Sequence, residues 1–278
     1  SIPRELMAGA VATFALVPEV IAFSFVAGVD PAVGLFASFV IGLVIAFSGG
    51  RPAMVSAAAG SVALVAAPLV HAHGLPYLLA AGLLAGLMQI VFGLLRLGVL
   101  MRFVSSSVRT GFVNALAVLI FSAQWPHFAH ANAATWAMIG LGLAIIYGLP
   151  RLTRAVPSPL VAILVVTLVG QALHLPLATV ADLGQLPSAL PAFGWPGVPL
   201  TLDTLRIIAL PAFAIAMVGL LESLMTASVV DELTDTPSSK NRECSGLGIA
   251  NMAASLFGGI AGCGMIGQTI SNVRYGGR

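Results

Sequence analysis

The sequence predicts an all-α polytopic membrane protein, and three observations predict it. Hydrophobic residues make up 59% of the 278 positions and charged residues only 8%, with a mean hydropathy of +1.03, too little charge to cover a soluble surface. The apolar residues gather into about ten segments, most of them near the ~20 residues that cross a bilayer. The cationic residues fall at alternate segment ends, as the positive-inside rule requires. A net charge of +2 on dispersed basic residues gives no footprint for nucleic acid. Cys244 and Cys263 stand in no metal-ligand or disulfide spacing.

In chain order the segments are Leu6–Ala27, Pro31–Phe47, Ala53–Val70, Leu75–Leu97, Phe103–Ala123, Ala134–Leu149, Pro159–Leu173, Leu205–Val229, Gly246–Leu256 and Ile260–Val273. The third, ninth and tenth are short or interrupted by small residues. With the N-terminus in the cytoplasm, Arg206 alone of the 12 Lys and Arg residues, which include Arg154 and Arg278, falls outside. This places the chain as a multi-pass protein of the cell (inner) membrane. The five histidines, His71, His73, His127, His130 and His174, reach the outer ends, where interfacial solvation is their ordinary role. The acidic residues other than Glu19 and Glu222, Asp182 among them, fall at segment ends or in loops. Asp231–Arg242 reads as a cytoplasmic loop, and the Pro- and Gly-rich Pro187–Asp203 as an outer connection. Ser1 in place of an initiator Met, and a stop at Arg278 directly after a span, lead to the expectation that both ends are cut.

The last stretch, Gly258–Arg278, reads GGIAGCGMIGQTISNVRYGGR. Its glycines fit either a short span in close helix contact or a broken helix whose first amides face a cavity. Two carboxylates lie at bilayer depth: Glu19 in ALVPEVIAFSF and Glu222 in AMVGLLESLMTAS. A carboxylate there costs about 2.5–3.5 kcal/mol on insertion scales, so it is normally kept for function. Thr226 shares the helix face of Glu222 at i+4, and oxygen ligands of this kind suit Na⁺ or a proton. Phe23 stands at i+4 from Glu19. Glu19 precedes Gly60 of SAAAGSVAL by the same interval, 41 residues, that separates Glu222 from Cys263 of GCGMIGQT. Two carboxylate-bearing spans, each followed two spans later by a small-residue break, predict an inverted repeat with half-helices meeting at the midplane.

At these residues the chain resembles the SulP family of anion permeases. The resemblance is carried by VPEVIAFSFVAGVDPAVGLFAS, FSGGRPAMVSAAAGSVALV, LLESLMTASVVDELT and GLGIANMAASLFGGIAGCGMIGQTISNVRYGGR. It implies a 7+7 inverted-repeat transporter fold with core and gate domains, here truncated to about ten spans with half-helices at spans 3 and 10. Residues 1–175 would form the first repeat, 176–203 an outer linker, and 204–278 the start of the second. The remaining spans and a cytoplasmic STAS domain would lie beyond the chain. The resemblance also implies a homodimer as the assembly.

Carried over residue by residue, Ala59, Gly60 and Ser61 would open one half-helix and Gly264, Met265 and Ile266 the other. Phe23 would be a cavity-facing aromatic, and Glu222 with Thr226 the coupling position, with Na⁺ as the candidate ion. Glu19 stands where the family more often has Gln, and Gln268 where anion exchangers commonly carry Arg. A site with two carboxylates and no fixed cation repels an anion unless a cation or proton accompanies it. The expectation is therefore a secondary transporter of sulfate or bicarbonate, coupled to Na⁺ or H⁺ by symport, with an elevator movement of core against gate. A nucleobase symporter of the same fold and an uncoupled anion exchanger are the alternatives. No motif of an intramembrane enzyme or of a channel filter is visible, and beyond the coupling ion no cofactor is expected.

Overall fold

In the computed structural model, residues 2–103, 106–123, 125–129, 131–153, 158–177 and 186–277 are described. His130, Arg154, Asp182, Arg278 and the middle of the 176–203 linker lie outside them. The helices are α1 (Ile2–Ala27), α2 (Pro31–Ser48), α3 (Gly60–His73), α4 (Leu75–Leu94), α5 (Ser106–Ala123), α6 (Trp125–Ala129), α7 (Ala133–Leu152), α8 (Ser158–Ala172), α9 (Leu202–Thr234), α10 (Lys240–Leu256) and α11 (Ile266–Arg274). A 3-10 helix, Leu97–Phe103, follows α4. Five of them, α1, α2, α4, α7 and α9, are long and apolar enough to cross a membrane.

Two departures from the sequence reading have plain causes. The third segment becomes helical only at Gly60. Ahead of it a three-residue strand, β1 (Ser56–Ala58), pairs with β2 (Gly262–Gly264) in the otherwise helical fold. The connection expected over Asp231–Arg242 is narrower, at 235–239, because the hydrophilic residues on either side continue the backbone ladders of α9 and α10. Asp235 closes α9 in the left-handed conformation at φ 50°, and the Ser239 side chain caps α10 by accepting from Arg242 N–H.

The core is α1–α4 with α9–α11. On α1, Ala8, Ala12, Leu16, Val20, Phe23 and Ala27 are buried, one face at three- and four-residue spacing. Helices α4 and α10 approach closest. A Cβ on Gly86 would stand 2.6 Å from the Gly248 carbonyl oxygen, and a Cβ on Gly248 would stand 2.4 Å from that of Gly86. Small residues are what allow such backbone contact between helices. Helix α7, by contrast, buries no described residue and packs chiefly on α8.

Basic residues cluster at one end of the bundle. Arg4, Arg51, Thr234, Thr236 and Gly277 line a cavity of about 840 Å³ there. Beside it the turn after α2 is fastened to the α9–α10 connection. Arg51 pairs with Asp231 at 3.2 Å and donates to the Thr236 carbonyl at 2.9 Å, and Lys240 reaches Asp231 at 2.7 Å. Arg242 donates to the Phe47 carbonyl at 2.9 Å. Glu243, fully buried ahead of the apolar part of α10, accepts from Gly50 N–H at 2.8 Å.

Burial pushes the Glu243 carboxyl up to about 7 from an ordinary 4.5, against the pull of the Gly50 and Arg51 amides and of the Lys240 and Arg242 charges. A folded-state value above the unfolded one means that the contribution is full below pH 4.5 and is lost as pH rises through about 7. The expected result is a stability that falls between about pH 5 and about pH 8, by up to ~3 kcal/mol from this one group, read as a falling thermal midpoint in detergent. The Glu243→Gln variant should flatten that fall. An equally steep fall in the variant would show that other groups set it.

Candidate functional site

Non-helical backbone at bilayer depth needs partners for each N–H and C=O. Strand β2 has them, from β1 on one edge and from side chains on the other. The strands run antiparallel with Ala57 opposite Cys263, and Met265 N–H donates to the Val55 carbonyl at 2.8 Å. The outer edge of β2 is closed by side chains. Asn251 accepts from Gly262 N–H at 2.8 Å and donates to the Gly262 carbonyl at 3.1 Å. Ser223 accepts from Gly264 N–H at 2.8 Å, and Thr226 donates to the Gly264 carbonyl at 3.2 Å. On β1, Ser38 accepts from Ala58 N–H at 3.2 Å. Ahead of it, Thr269 accepts from Val55 N–H at 3.0 Å.

Because the strands are antiparallel, the helices that follow them leave in opposite directions. Helices α3 and α11 are 14 and 9 residues long, about 21 Å and about 14 Å. Together they match a hydrocarbon core of about 30 Å. The register corrects one detail of the spacing argument. Cys263 is the counterpart of Ala57, and the counterpart of Gly60 is Ile266, since each is the first residue of its half-helix. The equal 41-residue intervals therefore end at non-equivalent positions.

Neither half-helix has a side-chain cap, although α7, α9 and α10 are capped by Asn132, Thr201 and Ser239. Ala59 and Met265 occupy the cap positions. The first amides of each helix, at Gly60, Ser61 and Val62 and at Ile266, Gly267 and Gln268, have no intrahelical partner, and each helix presents the positive end of its dipole. Such ends suit an anion. The two ends differ in access. The Phe23 ring lies over the start of α3, and a Cβ on Gly60 would come within 2.6 Å of it. Gly267, at the start of α11, is exposed, with nothing within 4 Å of an added Cβ. Gly60→Ala should therefore displace Phe23 and impair the site, and Phe23→Leu should partly restore anion uptake in the double variant. Unimpaired uptake by Gly60→Ala alone would contradict this packing.

Both carboxylates lie against the half-helices. Glu222 accepts hydrogen bonds from Ser61 at the head of α3 and from Cys263 of β2, the latter at 3.0 Å. Thr226, one turn on, donates to the Glu222 main-chain carbonyl at 2.8 Å as well as to Gly264. Glu19, half-buried on α1, accepts from the Gln268 amide of α11. Phe23, Ala59, Gly60, Ser61, Gly264, Met265, Ile266, Gln268, Glu19, Glu222 and Thr226 thus gather in one region. The oxygens of Glu222, Thr226 and Gly264 are of the hard type that suits an alkali cation. Among the described residues no three of His, Cys, Asp and Glu come together as a transition-metal site.

Two residues that hold the site, Gln89 and Asn251, were not singled out in the sequence. Each is an uncharged polar side chain in an apolar segment, the same signal as Glu19 and Glu222 in weaker form.

Known proteins agree with this geometry. The sulfate permease family profile matches residues 2–132 and 125–278. YbaR of Bacillus subtilis, named for sulfate transport, is 52% identical over the whole chain, which spans 58% of YbaR. The solved transmembrane domain of a cyanobacterium bicarbonate transporter, BicA, matches 100% of the chain and 77% of its own length at 27% identity, with a TM-score of 0.86. The murine Slc26a9 anion transporter in its inward-facing state has the same fold, with a TM-score of 0.81 at 18% identity, covering 100% of this chain and 54% of its own. The chain is thus part of a 7+7 inverted-repeat transporter fold, with its half-helices at the third and tenth spans. With half-helix heads paired at depth and a family profile running from residue 2 to residue 278, the chain belongs to the sulfate permease family.

Proposed function

We propose that this chain forms the anion-holding core of a secondary transporter that carries sulfate or bicarbonate across the cell membrane in symport with Na⁺ or H⁺. The observation that carries the reading is the pair of uncapped half-helix heads flanked by Glu19 and Glu222, with Gln268 in place of a fixed cation. Amide N–H groups bind an oxyanion without regard to which one it is. The names of the relatives offer sulfate for YbaR and bicarbonate for BicA. Two carboxylates beside an anion call for a compensating positive charge. Glu222, Thr226 and the Gly264 carbonyl are the ligands for Na⁺, or Glu222 the proton carrier. Ser61 and Cys263 bond the same carboxylate, so a change in its charge acts directly on the head of α3 and on β2.

The basic end faces the cytoplasm, as the positive-inside rule requires. Residues 1–175 and 204–278 divide between the two repeats across the 176–203 linker. The seam between the packed core and α5–α8 is the sliding surface of an elevator, supported by how little α7 touches beyond α8.

The test is uptake of labelled sulfate and of labelled bicarbonate by vesicles holding the full-length protein, with Na⁺ and pH gradients imposed separately. Uptake of one anion driven by one gradient is expected. Uptake indifferent to both gradients would refute symport, and no uptake of either anion would refute the substrate class.

A further inference from the structure

The amide pair Gln89–Asn251 is joined by hydrogen bonds to strand β2 at Gly262. Both side chains are fully buried. Asn251, on α10, spends its donors and acceptor on two partners. It brackets the backbone of Gly262, as a neighbouring strand would, and donates to Gln89 Oε1 at 2.9 Å. Gln89, on α4, donates in turn to the Ala216 carbonyl of α9 at 3.3 Å. The chain of bonds runs α9–α4–α10–β2, and joins helices from both halves of the sequence to one glycine of the strand. From Gly262 only Cys263, Gly264 and Met265 intervene before the head of α11.

Gly262 has no side chain to pack, so its position is set by these bonds and by the pairing with β1. If Asn251 loses its amide, both polar groups of Gly262 are left in an apolar interior, and the strand must shift to find partners. Cys263 and the first amides of α11 would move with it. Gln89 fixes which way round the Asn251 amide sits, because its own carbonyl oxygen accepts and so requires the Asn251 NH₂ on its side, which leaves the Asn251 oxygen for Gly262 N–H.

We infer that Gln89 and Asn251 are positioning residues, which hold β2 in register and thereby set the placement of the α11 half of the anion site. The link to anion affinity rests on the function proposed above; the positioning of the strand does not. The two can be separated with a native reporter, the Cys263 thiol, fully buried and bonded to Glu222.

The experiment uses full-length protein in which every cysteine but Cys263 is replaced by Ala, Cys244 included, and compares Asn251→Leu and Gln89→Met with the unaltered pair. Both substitutions fill the volume and remove the hydrogen bonds. Two quantities are read: the rate at which a small membrane-permeant maleimide labels Cys263, and the KM and maximal rate of sulfate and bicarbonate uptake. Labelling should speed up by about tenfold, and KM should rise by about tenfold with a smaller change in maximal rate. Gln89→Met should show the same direction at a smaller size, and it keeps the inference testable if Asn251→Leu fails to insert. Labelling at the unaltered rate in inserted protein would overturn the inference. So would faster labelling with an unchanged KM, which would make the pair a support of the strand alone. If the unaltered protein moves neither anion, the proposed function fails, and the labelling rates still decide whether the pair positions β2.

Discussion

Glu222→Ala is expected to lower gradient-driven anion uptake by about 100-fold or more. The carboxylate accepts from Ser61 and from Cys263, which belong to opposite half-helix units, and removal leaves these two buried donors only their long 3.8 Å contact with each other. A charged acceptor contributes about 1.5–3 kcal/mol per hydrogen bond, so two such losses are enough for an effect of this size. Glu222→Gln distinguishes architecture from coupling. Its amide keeps the shape and one accepting oxygen, so the half-helices should remain in place, but it neither ionises nor binds a cation strongly. Uptake should persist down the anion's own gradient and lose its response to the imposed Na⁺ or pH gradient. Thr226→Val then separates the two coupling ions. It removes a hydroxyl from the three oxygens proposed as Na⁺ ligands, and should raise the Na⁺ concentration needed for half-maximal uptake, while leaving a purely proton-coupled process nearly unchanged. If Glu222→Gln responded to the gradients as the unaltered protein does, the coupling role of Glu222 would be lost.

Much of this site was legible in the sequence because membrane depth makes polar residues conspicuous. Glu19 and Glu222 stand out against apolar runs, and the stretches around Gly60 and Gly264 are too rich in small residues for ordinary spans. The strand pair was not legible. Three residues of Ser, Ala and Ala carry no β signal of their own; the Ser56–Ala58 segment is extended because Gly262–Gly264 lies opposite it, a contact some 200 residues away in the chain. The register followed from that pairing, which is why equal sequence intervals from the two carboxylates ended at non-equivalent residues. The fastening of the α2 turn by Glu243 was hidden for another reason. A glutamate just ahead of an apolar segment reads as solvated, and only the tertiary contact with Gly50 shows that it is buried. Asn251 and Gln89 are inconspicuous in the sequence because an uncharged amide in an apolar helix is common, and their importance comes from the Gly262 backbone groups that face away from β1 and bond to Asn251.

Gln268→Arg is expected to convert cation-dependent uptake into cation-independent exchange. Gln268 is buried in the first turn of α11 and donates its amide to Glu19. A guanidinium in that place would pair with Glu19 and raise the site's charge by one unit, which replaces the positive charge that a co-transported ion otherwise supplies. Two unit charges 4 Å apart interact by about 4 kcal/mol at an effective dielectric constant near 20, and burying the pair consumes much of this, so a fall in anion KM of about tenfold is the reasonable scale. Glu19→Gln tests how the charge is shared. Alone it removes one of the two carboxylates that repel the anion, and should lower the KM modestly while leaving the Glu222-dependent gradient response intact. Combined with Gln268→Arg it leaves the guanidinium without its partner, directed at the anion alone. Binding should then be tightest and release slowest, so the double variant should show the lowest KM together with a reduced maximal rate. If Glu19 and Gln268 act independently, the two single changes will add; a clear departure from additivity measures their coupling across the α1–α11 contact. Unchanged Na⁺ and pH dependence in Gln268→Arg would refute the proposal that the uncharged residue at this position is the reason for cation coupling.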